Sequence, residues 1–89
     1  MHKARPNQNS AEQLSDMEQR FLELYMTGQH SQFQCLVMAG YARTTALTQA
    51  KRIRLRPRVR RAIIVERIRR GLYVSAAERR LVGKVENVG

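Results

Sequence analysis

The residues of this sequence best equipped for chemistry are the cations and hydroxyls crowded between positions 43 and 61: Arg43, Thr44, Thr48, Lys51, Arg52, Arg54, Arg58, Arg60 and Arg61. Guanidinium and ammonium groups stay charged at neutral pH, so they serve poorly as general acids or bases and well as ligands for phosphate. Threonine hydroxyls add hydrogen bonds to phosphate or to base edges. The pattern is one for holding a polyanion rather than for turning over a substrate. Composition agrees: 17 Lys and Arg stand against 7 Asp and Glu in 89 residues, a formal charge of +10. Such a surplus suggests nucleic acid as the first partner and an anionic membrane surface as the second.

Other chemistries lack their parts. One cysteine, Cys35, cannot close an internal disulfide, and with only His2 and His30 beside it the sequence offers no metal site; it reads as an intracellular chain. The opening "MHKARPNQNS" has basic residues but no apolar stretch like that of a secretory signal, and nowhere does the sequence approach the roughly 20 apolar residues of a membrane span. No Gly-rich phosphate loop of the Walker type is present, and the acidic residues, mostly in the first helical segment, do not suggest a two-metal nuclease. The expectation is a binding protein, not an enzyme, with no cofactor.

What must position the cations is a set of short helices. A chain of 89 residues can bury one modest core, and the pattern divides it into a flexible basic arm over 1–13, a helical domain over 14–71 and a tail over 72–89 that could serve oligomerisation. "SDME" has the form of a capping box, with Ser15 accepting from an early backbone N–H and Glu18 reaching back. Met17, Phe21, Leu24 and Tyr25 then recur at helical spacing until Gly28. "SQFQ" at 31–34 starts a second, mostly apolar helix that stops at Gly40. A third is expected from about Ala42–Thr44 to Arg54, because Pro57 biases Arg56 away from helical angles. Its inward stripe is Ala46, Ala50 and Ile53, with Thr44, Thr48, Lys51 and Arg52 on the opposite side. Pro57 can open a fourth helix that turns Val59, Ile63, Ile64 and Ile68 inward and Arg58, Arg60, Arg61, Arg67, Arg69 and Arg70 outward, until Gly71. In the tail "LYV" and "LVGKV" leave a strand open, whereas "SAAE" at 75–78 argues for a last short helix.

The fold class expected is therefore all-α, a small helical bundle. Two short helices joined by a tight Gly corner, the second with a polar and basic outer face, form a helix-turn-helix of the kind that presents a helix to the major groove of DNA. Lys51, Arg52 and Thr48 would lie nearest base edges, with Arg43 and Thr44 at the helix entrance. Arg58, Arg60 and Arg61 would meet phosphates.

The order "LSDMEQRFLELYMTG", "MAGYARTTALTQAKRI", "LRPRVRRAI" also resembles the N-terminal DNA-binding domain of bacteriophage terminase small subunits. The matching residues are Leu14, Ser15, Glu18, Arg20, Phe21 and Tyr25, then Ala39, Gly40 and Tyr41 at the corner, Thr45, Ala46, Ala50 and Ile53, and finally Pro57, Val59 and Ile63. The resemblance spans roughly residues 14–68. It implies a protein that recognises viral double-stranded DNA at the packaging site in the cytoplasm of the infected bacterial host. It also implies assembly into a homo-oligomeric ring and delivery of the DNA to a large terminase subunit that carries ATPase and nuclease. Two positions depart from the pattern. Ala42 stands where a capping serine is common, so Thr44 or Thr45 could cap a later start, and Phe33 replaces a small polar residue. The alternative reading is a helix-turn-helix transcription regulator on a two-fold operator. A structural RNA-binding protein is a third class, but no exposed aromatic platform for single-stranded RNA is evident.

Overall fold

Three serines, each followed three residues later by Glu or Gln, start three of the helices. Ser15 Oγ accepts from the Glu18 N–H at 3.1 Å while Glu18 accepts from the Ser15 N–H at 2.9 Å. Ser31 with Gln34 and Ser75 with Glu78 repeat the arrangement. These reciprocal bonds satisfy orphan donors of the first turn. In the computed structural model, which describes residues 13–83, they open α1 (Asp16–Thr27), α2 (Gln32–Ala39) and α6 (Ala76–Val82). Between α2 and α6 lie α3 (Arg43–Thr48), α4 (Ala50–Arg54) and α5 (Pro57–Arg69), and no strand occurs among the described residues. The protein is an all-α bundle. The expected basic arm lies, save for Gln13, outside the described residues, as do residues 84–89 of the tail.

Glycine ends the helices where the chain must reverse. At Gly40 the backbone takes φ +114°, its N–H reaches the Val37 carbonyl at 3.0 Å and the Tyr41 N–H reaches the Leu36 carbonyl at 3.0 Å. That pair of bonds is a Schellman motif, and its positive φ is costly for any residue with a Cβ. Pro57 stands at the first position of α5 and Arg56 before it is extended, at φ −56° and ψ 134°.

Phe21, Leu22, Cys35, Leu36, Ala39, Ala46, Ile53, Val59 and Ile63 form the main core, drawn from α1 to α5. Ile64, Ile68 and Val82 form a smaller second one where α6 docks on α5, so the tail segment is part of the fold. Helix α1 packs on α2 and α5, and α2 in turn carries α3 and α4.

Three expectations change. The third helix is not continuous: Gln49, at φ −124° and ψ 17°, breaks it into α3 and α4. Ala46 before the bend and Ile53 after it are both buried in the main core, the inward positions their seven-residue spacing predicts. The start is also earlier than a threonine cap would give, since Ala42 is the N-cap and no side chain caps α3. On α1 the inward line runs through Glu18, Phe21 and Leu22, while Met17 remains 37% exposed with its Sδ 3.0 Å from where a Cβ on Gly40 would stand. A buried glutamate is invisible to a hydrophobic-periodicity argument.

Candidate nucleic-acid interface

The corner between α2 and α3 decides which side chains face outward together. Gly40 reverses the chain, Tyr41 packs half-buried against the main core, and Ala46 at 2% exposure seats α3 on α2. On the opposite side Arg43, Thr44, Leu47 and Thr48 are exposed, and past the bend at Gln49 so are Lys51 and Arg52. An open depression between α4 and the start of α5 is lined by Thr48, Lys51, Arg52, Leu55, Arg56 and Pro57.

Not every cation expected on this surface is available. Glu18 is completely buried, and its carboxylate accepts from Arg58 Nε and Nη2 at 2.8 Å each, from Arg56 Nη1 at 2.8 Å and from the Ser15 N–H at 2.9 Å. Burial by itself would raise the pKa of this acid. The Arg58 fork, the Ser15 N–H and Arg56 outweigh that and hold it at about 2. Arg58, expected to meet phosphate, is thereby committed to an internal bidentate pair and is only partly exposed. Its partner Glu18 comes from 40 residues earlier, so nothing local to the arginine run could disclose the pairing. Arg54 is drawn aside as well, donating from Nε to Gln32 Oε1 at 2.7 Å and so tying α4 to the first turn of α2.

The remaining positions divide. The Arg43 guanidinium lies 5.4 Å from the centroid of the Phe33 ring, within reach of a cation–π contact, and Phe33 also packs against the main core. Thr48 bonds its hydroxyl back to the Thr44 carbonyl at 2.8 Å. Lys51, Arg52, Arg60 and Arg61 form no ion pair among the described residues, where the only pairs are those of Arg56 and Arg58 with Glu18 and of Arg70 with Glu66. Arg60 does stand near enough to Glu78 to help lower that carboxyl, after the Ser75 backbone N–H and Arg67. Thus the structure leaves Arg43, Thr44, Thr48, Lys51 and Arg52 exposed, gathers Thr48, Lys51 and Arg52 around the depression, places Arg60 and Arg61 beyond Pro57 next to Leu81, and draws Arg54 and Arg58 into internal bonds.

Elsewhere the described residues gather no cluster of His, Cys, Asp and Glu that could hold a metal ion. None of their helices is long and apolar enough to cross a membrane. Cys35 is buried with its thiol 3.8 Å from the His30 carbonyl, and burial pushes its pKa up. A buried, undissociated thiol is a packing group. Comparison with protein-family models, curated proteins and solved structures finds no match to this chain.

Proposed function

We propose that this protein binds double-stranded DNA through α3 and the start of α4. The observation that carries the reading is the exposed surface of Arg43, Thr44, Thr48, Lys51 and Arg52 behind a glycine-locked corner, with acidic side chains kept away from it. In the described residues the acids sit on α1, α5 and α6, and the one nearest the arginine run, Glu18, is buried. A helix six residues long, held on α2 by Ala46, can enter a major groove about 12 Å wide only as far as its outer side chains reach. Arg43 at one end and Lys51 and Arg52, beyond the bend at Gln49, at the other would then straddle the groove, so that Lys51 and Arg52 meet phosphates rather than the base edges expected of them from the sequence, while Arg60 and Arg61 add contacts along the backbone.

The resemblance to terminase small subunits supports a more specific role: recognition of viral DNA at the packaging site by a homo-oligomeric ring, and its presentation to the large terminase subunit. Here the protein supplies positioning and no catalysis. Five cations remain for phosphate, Arg43, Lys51, Arg52, Arg60 and Arg61, so log affinity should fall against log salt with a slope of about −4.5 per bound chain. Between 50 and 200 mM salt that is a loss of roughly 500-fold in a fluorescence-anisotropy titration of duplex DNA. A flat salt response would remove the reading. Co-purification with the large subunit would support the packaging role, whereas a dimer on a two-fold operator with no such complex would assign the protein as a transcription regulator.

A further inference from the structure

We propose that Leu47 reads a thymine methyl group in the major groove and makes this protein selective for a T·A pair at one position of its site. The inference rests on the DNA-binding reading and deepens it. Of the outward side chains of α3, two already have partners: Arg43 lies over Phe33 and Thr48 bonds the Thr44 carbonyl. Thr44 and Leu47 are left, and Leu47 is 70% exposed, the most exposed of the large aliphatic side chains among the described residues. It stands one turn after Arg43, and Lys51 follows four residues later, beyond the bend at Gln49. Cations on both sides would straddle the groove, and the isobutyl group between them would point at its floor.

Only one group on that floor suits it. Of the four bases, thymine alone presents a methyl in the major groove; the other groups there are hydrogen-bond donors and acceptors or, on cytosine, a bare C–H with less apolar surface. Over a thymine, Leu47 removes apolar surface from water on both partners. Over guanine or cytosine the same side chain would displace water from polar atoms and offer them nothing in return. Selectivity thus comes from attraction to one pair and rejection of others. A single exposed leucine is ordinary on a protein surface. Its place in the last turn of α3, with Arg43 one turn before it and Lys51 and Arg52 following across the bend, gives this one a ligand.

The test uses the full chain and a randomised duplex library. Selection should enrich a sequence with at least one invariant T·A pair. Replacing that thymine by deoxyuridine, which lacks only the methyl, should weaken binding about fourfold, and replacing the pair by C·G should weaken it further. In Leu47→Ala the deoxyuridine penalty should vanish, the gap between the selected site and random duplex should narrow, and the melting temperature should stay as in the wild type. If a sequence is enriched but deoxyuridine is tolerated at every position, or if the penalty survives in Leu47→Ala, the assignment of Leu47 is overturned and DNA binding stands. If the protein binds no duplex at all, both fall.

Discussion

Replacing Glu18 by glutamine isolates the charge at the centre of this fold. Gln34 closes the capping box of α2 as Glu18 closes that of α1, so Glu18→Gln should retain the bond to the Ser15 N–H and lose only the ionic part of the Arg56 and Arg58 contacts. The carboxyl is held at about 2 against 4.5 in the ordinary state. At about 1.36 kcal/mol per pKa unit the difference is worth about 3 kcal/mol. Since the two arginine side chains are 39% and 37% exposed, water screens part of this, and about 2 kcal/mol is the expected loss at pH 7. The folded-state pKa is depressed, so this stabilisation is fully present above pH 4.5 and disappears as the pH falls toward 2. Urea denaturation followed by circular dichroism at pH 7 and in steps down to pH 2 would measure it. Wild type and Glu18→Gln should differ by about 2 kcal/mol at neutral pH, roughly 8–16 °C in melting temperature for a domain of this size, and the two curves should converge in acid. Equal stability at pH 7, or a difference that persists at pH 2, would refute the argument that charge pairing at Glu18 holds α1 to α5.

Other outcomes follow from the same geometry. Arg58→Ala should lower stability by about 1–2 kcal/mol, measured by urea denaturation, and leave the salt slope of DNA binding unchanged, because its guanidinium is already spent on Glu18. Arg60→Ala should do the reverse, keeping stability within about 0.5 kcal/mol and lowering the slope by about one contact. Gly40→Ala should cost about 1–3 kcal/mol in thermal denaturation, chiefly from φ +114°, since the flexible end of Met17 can yield to the new methyl. Gly28→Ala, at φ +70° with open space around it, should cost only about 1 kcal/mol. Cys35 should react with an aromatic disulfide reagent only at the rate at which the protein opens, and rapidly once unfolded, which a reaction series across urea concentration would reveal.

Local chemistry alone was enough to read most of the helix boundaries. Ser15, Ser31 and Ser75 start helices because a serine hydroxyl three residues before Glu or Gln satisfies backbone donors whatever the rest of the chain does. Gly28, Gly40 and Gly71 end them because only glycine takes the positive φ of those turns cheaply. Pro57 opens α5 for an equally local reason. The apolar positions of α5 at Val59, Ile63, Ile64 and Ile68 follow from helical spacing and are buried as expected.

Tertiary packing decided what depends on residues far apart in the chain. The bend at Gln49 has no Gly or Pro to announce it, and Ala46 and Ile53 on either side of it both sit in the core. Glu18 reads in sequence as a capping residue on a polar face, yet it becomes the buried acceptor for two arginines some 40 residues away. That pairing sorts the arginine run into internal and outward members, and Gln32 does the same for Arg54. Composition determines that the chain carries +10; only the fold determines which of those charges face a partner, because a guanidinium goes where a carboxylate or carbonyl has been brought within about 3 Å of it.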